Sequence, residues 1–416
     1  MSTFNVKDIS EKISNKKGIS FLSSFFKKNI LSKFSELEHG YMEIIDNDKS
    51  IKVGSISSEL KCTITIKNND FYVFLGSGGL LGASEAYAAG LWECNDLVAL
   101  TQIMVRNQKL MSNLDSGFAK FLVPINKLIH YTKRNTILGS KKNILAHYDL
   151  GNDFYELWLD KTMTYSCGFF VNDSTTMYDA SVQKLDMICK KLKLNKEDSV
   201  LEIGTGWGSF SIHAASTYGC KVTTTTISDS QFEYASNKIK KLKLDHLITI
   251  VKKDYRLLEG TYDKIASIEM IEAVGHKNVP VLFKKISSLL KTGGLFAMQG
   301  ITYNDQKFDT YKNSVDFINK YIFPGSCLIS IAQISETVKN STNLDFIGLE
   351  DITSHYAKTL NIWRNNFLNK TKEVKDLGFP DSFIRLWEFY FTYCEAGFLE
   401  KNIGDYQFVF SKQMEY

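Results

Sequence analysis

Residues 200–210 read VLEIGTGWGSF, a buried-type strand that runs through Gly204, Thr205, Gly206, Trp207 and Gly208 into a helix starting near Ser209. Glycines at such a turn let backbone approach a bound ligand closely. A dinucleotide site needs G-x-G-x-x-G with an acid about twenty residues further on. Here the third glycine comes one residue early, Trp207 stands where a pyrophosphate would be crowded, and the second strand ends in Thr226, Ile227 and Ser228 with no acid. Glu202, just inside the first strand, suits a ligand that carries positive charge. S-adenosylmethionine is such a ligand: its sulfonium and ammonium favour a nearby carboxylate, and its methyl is transferable. The competing reading is purely structural, with Glu202 capping a turn and the glycines packing helix on strand.

The elements around this loop alternate. SVLEIG, KVTTTTI, LITIVKKD, YDKIASIEM and GGLFAMQGIT read as near-continuous apolar strands, separated by helices from about Ser209, Asp229 and Val279. That alternation predicts an α/β fold built on a doubly wound parallel sheet. LDFIGLEDI and YQFVFSK add two strands after it, with two aromatic-rich helical stretches between them. Upstream, KCTITI and FYVFL read as β-type segments, and GSGGLLGASEAYAAGLWECNDLV as a Gly-rich turn passing into helix, so residues 1–120 predict a smaller N-terminal α+β domain. The basic, Gly- and Ser-containing KRNTILGSKK lies in a linker set at 121–142, and the catalytic domain spans 143–416. Near the start, Phe21, Phe25, Ile30, Leu31 and Phe34 recur at helical spacing with Lys27, Lys28 and Lys33 between them. This predicts an amphipathic helix, either docked on its own domain or touching anionic lipid.

Composition narrows the function classes. The 416 residues carry 50 Lys and Arg against 46 Asp and Glu, a net charge of +4 that is too small to argue for nucleic-acid binding. Seven scattered cysteines without a C-x-x-C pair fit reduced thiols in a cytoplasm. His147, His276 and His355 have no metal-ligand spacing, so no metal is expected. No run of about eighteen apolar residues occurs, and the N-terminus lacks the apolar stretch of a signal peptide.

HYDLGNDFYELWLDKTMTYSCGFF at 147–170 resembles the H-Y-D-x-x-N-D-F-Y block of the cyclopropane fatty acyl phospholipid synthases and their mycolic acid methyltransferase relatives. VLEIGTGWGSF, TISDSQ, DYR, EMIEAVG, NKYIFPGSCL, HYAKTL, CEAGF and VFSK follow in family order, and GLLGASEAYAAGLWECNDLV resembles the synthases' N-terminal domain. The resemblance implies a class I S-adenosylmethionine-dependent methyltransferase domain, Rossmann-like, behind an N-terminal lipid-binding or dimerisation domain. It implies that Tyr165, Ser166, Val200, Leu201, Glu202, Ile203, Gly204 through Gly208, Thr226, Ile227, Ser228, Gln231, Tyr255 and Arg256 form the cofactor site. It further implies a bound bicarbonate as base, held by the Cys167 backbone and by Glu272, Gln299, Ile301 and Tyr356, with Glu272 first among them and Glu269 the nearest confusable carboxylate.

The implied reaction adds a methylene from S-adenosylmethionine across the cis double bond of a phospholipid acyl chain. An alkene is a weak nucleophile, so such a site must be dry, aromatic-walled and equipped with one fixed base. Cys394 matches a cysteine often assigned to the family's active site, but the alkene itself attacks the methyl, and the residue reads as pocket-lining. Many synthases carry His where this chain has Gln299 and Ala273; an amide holds an anion without carrying a proton, which leaves a methyl-branched product as the alternative to a ring. A methyltransferase on a soluble small molecule, or a non-catalytic lipid-binding protein, are the other classes. The expected partners are unsaturated phospholipid in the bilayer and a second copy of the chain, with the enzyme cytoplasmic and peripheral to the inner face of the cell membrane.

Overall fold

The computed structural model of the chain describes residues 20–110 and 150–413. The expected linker at 121–142, His147 and the first residues of the chain lie outside the described residues.

The larger sheet has seven strands: β5 (Ser199–Ile203), β6 (Lys221–Thr225), β7 (Ile248–Val251), β8 (Tyr262–Ile268), β9 (Leu290–Tyr303), β10 (Leu344–Asp351) and β11 (Ile403–Lys412). Their spatial order is β10-β11-β9-β8-β5-β6-β7. Strands β7 through β9 along this order are parallel, whereas β11 runs antiparallel to β9 and β10 antiparallel to β11. The strands are apolar on both faces because helices cover both: Leu201 and Val200, adjacent in β5, belong to separate clusters on opposite sides and are both fully buried. The strand order reverses between β5 and β8, and in open α/β sheets the ligand crevice forms at the carboxyl ends of such a switch point.

A second sheet of four strands, β2-β1-β3-β4, is built from β1 (Tyr41–Asp46), β2 (Lys49–Gly54), β3 (Lys61–Ile66) and β4 (Trp92–Cys94). The reading of FYVFL as a strand is corrected: Phe71 through Leu75 lie in helix α2 (Asp70–Ala88), whose kink at Gly79 marks the Gly-rich stretch. All five side chains are buried, and an apolar run hidden all round reads the same in a strand as in a core helix. The first described helix, α1 (Ser20–Phe34), buries Phe26, Ile30 and Phe34 at i, i+4 and i+8, so it docks on its own domain; Phe25 faces outward at 47% exposure.

The two units share one aromatic core. Helix α3 (Leu97–Arg106) packs against α5 (Asp381–Leu399), with Arg106 paired to Glu400 at 2.8 Å and the Tyr87 hydroxyl donating to Glu388 at 2.8 Å. Arg385 donates to the Tyr87 and Trp92 carbonyls at 2.6 and 2.7 Å. Beside α5 runs α4 (Thr353–Leu368), and these two helices wall a cavity with the residues at the ends of β8 and β9.

Candidate active site

Two cavities meet above the carboxyl ends of β5, β8 and β9. The first is walled by Glu202, Ile203, Gly204, Thr205, Gly206 and Trp207, by Thr226, Ile227 and Gln231 behind β6, by Asp254 and Tyr255 behind β7, and by Tyr165 and Ser166. Gly206 has φ +51 and a Cβ there would meet nothing within 4 Å, so the loop leaves open space beside its backbone. The buried Glu202 carboxyl accepts from the Thr224 hydroxyl at 2.6 Å; burial pushes it up to about 8, against the pull of Thr224, Ser211 and Lys184.

Five residues expected at this cavity stand off its wall. Val200 and Leu201 point into the cores on the two faces of the sheet. Gly208, at φ 86, starts the helix Ser209–Tyr218, and Ser228 caps the helix Asp229–Lys241 by accepting from the Gln231 amide at 3.3 Å. Arg256 clamps Asp254 at 2.7 and 2.6 Å, so it positions that carboxylate and leaves the wall to Tyr255. Lys184, by contrast, was not foreseen. It is fully buried in the helix Met177–Lys191, lines the first cavity, and donates to the Ser166 hydroxyl at 2.5 Å. Its signal in the sequence is a lysine on the apolar stripe of Ala180 and Ile188, four residues from each.

The second cavity is apolar and aromatic, and is walled in part by Ile301, Phe323, Tyr356, Tyr390, Cys394 and Phe398. Tyr165, Glu269 and Ala273 line both cavities and so mark the junction. Burial raises the Cys394 thiol, which keeps it protonated and suits a wall residue better than a nucleophile.

At the junction the carboxylate of Glu269 is held from three sides. Its Oε1 accepts from the Cys167 backbone N–H at 2.9 Å and from Gln299 Nε2 at 2.8 Å, and its Oε2 accepts from the Tyr356 hydroxyl at 2.6 Å. The Gln299 amide is oriented by a cross-strand chain: Lys191 donates to Gln407 Oε1 at 2.6 Å, and Gln407 Nε2 donates to Gln299 Oε1 at 3.1 Å. Gln299 Nε2 also reaches Asp405 at 3.0 Å. Glu269 follows the last residue of β8 with φ +47, a left-handed conformation that costs a residue with a Cβ about 1–2 kcal/mol.

Most of the expected cradle's hydrogen bonds converge on Glu269, with one reaching Glu272. Cys167, Gln299 and Tyr356 all donate to Glu269, and of the expected cradle Glu272 meets the Ile301 N–H, at 2.6 Å. Glu272 sits in one turn of 3₁₀-helix, Ile271–Ala273; it lines the second cavity but not the first, and its Oε2 is buried without a hydrogen-bond partner. Burial, then the neighbouring Glu269 charge, push Glu272 up to about 8; burial, then Glu269 and Glu272, push Asp405 well above the carboxylate range. Burial also raises Glu269, but Lys184 and its three hydrogen-bond donors oppose that. Of the three buried carboxyls, Glu269 has the most groups around it that favour its ionised form.

The family description "Mycolic acid cyclopropane synthetase" matches residues 137–408. The chain belongs to that family. It is 34% identical over 367 residues to the cyclopropane-fatty-acyl-phospholipid synthase of Escherichia coli, covering 87% of this chain and 91% of that protein. It is 32% identical over 347 residues to the tuberculostearic acid methyltransferase UfaA1 of Mycobacterium tuberculosis, covering 82% and 80%. Among solved structures, the mycolic acid cyclopropane synthase CmaA1 complexed with SAH and CTAB superposes with a TM-score of 0.62 at 27% identity, over 65% of this chain and 98% of that one. The protein is thus an enzyme of the S-adenosylmethionine-dependent methyltransferase class with the α/β fold of that class. The first cavity fits this cofactor: Glu202 offers a carboxyl whose ionised form a cationic tail would favour, the glycine turn offers backbone, and Tyr255 offers a flat face to the base.

Proposed function

We propose that the enzyme adds a one-carbon unit from S-adenosylmethionine to the cis double bond of an unsaturated phospholipid acyl chain and closes a cyclopropane ring. The observation that carries this reading is the apolar cavity that opens onto the cofactor cavity at Tyr165, Glu269 and Ala273. It shares Val105, Tyr303, Tyr393 and Asn402 as a common wall with a third cavity among Leu75, Leu80, Ala83, Trp92 and Leu100 of the N-terminal unit. A tract of that kind suits a hydrocarbon tail, and the N-terminal unit supplies its far end.

When bound, S-adenosylmethionine supplies an electrophilic methyl on a sulfonium. The chain's own residues supply the setting. Aromatic walls exclude water, and the faces of Tyr165, Tyr356 and Tyr390 stabilise positive charge on the acyl chain without trapping it covalently. The hydroxyls of Tyr165 and Tyr390 lie 2.9 Å apart and satisfy each other, which keeps the wall from presenting a free nucleophile. A bicarbonate does not fit as the base: the Cys167, Gln299 and Tyr356 donors already hold a carboxylate, and Glu272 and Asp405 stand beside it. No step is routed through that ion.

A bilayer substrate calls for a peripheral enzyme, and the exposed Phe25 and Lys28 on α1 offer an apolar and a basic contact to lipid. Among the described residues no helix is long and apolar enough to cross a membrane. The test is mass spectrometry of vesicles of unsaturated phospholipid after incubation with the enzyme and S-adenosylmethionine. Gain of one carbon and two hydrogens, with loss of the olefin, supports the ring-forming reading. A methyl-branched chain would place the enzyme with the fatty acid methyltransferases, and no lipid product with turnover on a soluble acceptor would overturn the lipid reading.

A further inference from the structure

Resting on the lipid reading above, we infer that Glu269 is the general base of the reaction, built into the polypeptide at the place where the family resemblance put a bound anion. Four observations converge on it. Its carboxylate receives three of the five groups expected to hold that anion, the Cys167 N–H, the Gln299 amide and the Tyr356 hydroxyl. It lines both the cofactor cavity and the acyl cavity, so it stands where the transferred carbon must sit. Its backbone is held at φ +47, one of six non-glycine residues with positive φ among the described residues, and strain of this kind persists where the surroundings over-determine it. Finally, the amide at position 299 matches a resident carboxylate. Its oxygen is taken by Gln407, so its nitrogen is fixed as a donor toward Glu269 and Asp405.

The chemistry balances without any further reagent. The alkene π pair forms a bond to the methyl carbon while the carbon–sulfur pair leaves with sulfur, which places the positive charge on the other former alkene carbon. Glu269 then takes a proton from the new methyl, and the released C–H pair closes the second bond of the ring. Oε1 already accepts two hydrogen bonds, so Oε2, which accepts one from Tyr356, is the oxygen that receives the proton. Unsaturated chain and methyl donor give ring, thioether and one proton, the last resting on Glu269 until it passes to solvent after product leaves.

The experiment measures turnover on unsaturated phospholipid vesicles in buffer purged of carbon dioxide, with and without added sodium bicarbonate, for the wild type, Glu269→Gln and Glu269→Gly. S-adenosylhomocysteine binding is measured alongside to show that each variant is folded. The wild type is expected to keep its full rate without bicarbonate. Glu269→Gln, nearly isosteric but not basic, should lose about 100-fold or more in kcat, with no recovery on adding bicarbonate. Glu269→Gly suits the left-handed backbone and empties the cradle; it should lose as much activity and regain a good part of it with added bicarbonate or formate, as the freed donors take up the small anion. A wild type that depends on bicarbonate, or a Glu269→Gln variant of unchanged kcat, would overturn the inference while leaving the lipid reading intact. A wild type that binds S-adenosylhomocysteine but leaves unsaturated phospholipid untouched in both buffers would overturn the reading and the inference together.

Discussion

Replacing Tyr356 by Phe removes one oxygen and little else, because the ring stays stacked on Phe398 at a centroid distance of 4.4 Å. The hydroxyl it removes donates at 2.6 Å to Glu269 Oε2 in a fully buried site. A hydrogen bond to a charged group is worth about 1.5–3 kcal/mol, equivalent to roughly 10- to 150-fold in rate if the bond is needed with the base ionised. The same energy is about 1–2 pKa units. Burial raises Glu269, and Lys184, Tyr356, the Cys167 N–H and Gln299 oppose that, with Glu272 and Asp405 as the other acids close by. Loss of the hydroxyl therefore moves Glu269 further up. A base works ionised, so the rate falls as pH drops through its pKa. In Tyr356→Phe that limb should lie about 1–2 units higher, and the deficit in kcat should shrink as pH is raised. The assay is the pH dependence of kcat from about pH 6 to 9, with S-adenosylhomocysteine affinity measured at each pH. Tyr356 is off the wall of the cofactor cavity, so that affinity should change by no more than about twofold. An acid limb that stays in place, or affinity that falls in step with kcat, would refute the reasoning.

Four further outcomes are expected. Gly206→Ala should cost the ligand-free protein about 1–2 kcal/mol, since φ +51 is left-handed though a Cβ meets nothing within 4 Å; calorimetric binding of S-adenosylhomocysteine should weaken by more, because the methyl enters the cofactor space. Ala83→Trp, at the far end of the acyl tract, should lower kcat/KM for long-chain phospholipids by about 0.8 kcal/mol per excluded methylene while sparing short chains, and uniform loss across chain lengths would count against the tract. Glu202 and Glu272 are each pushed up to about 8 in the folded protein. Being raised, they contribute stability that is complete below the unfolded value and lost as pH rises through about 8, so the melting temperature of the ligand-free enzyme should fall between roughly pH 5 and 8. A cationic ligand favours ionised Glu202. S-adenosylmethionine affinity, measured without lipid, should therefore rise by up to about tenfold per unit between pH 6 and 8, and Glu202→Gln should flatten that slope.

The α/β class, the glycine turn with Glu202 and the family itself were legible in the chain. Each rests on local features: strands buried on both faces spell continuous apolar runs, and a backbone-lined turn needs glycine at fixed spacing. The same locality explains the error at Phe71–Leu75, where a fully buried helix left no periodicity to read. What local sequence could not decide was which carboxylate occupies the junction. Glu269 and Glu272 lie three residues apart in EMIEAVG, and the choice depends on a left-handed backbone at Glu269, a single turn of 3₁₀-helix after it, and donors brought from the loop at Cys167, from β9 and from α4. Those partners are 102, 30 and 87 residues away along the chain. Long-range hydrogen bonds in a buried site fix where the charge rests, and the tertiary structure alone brings them together.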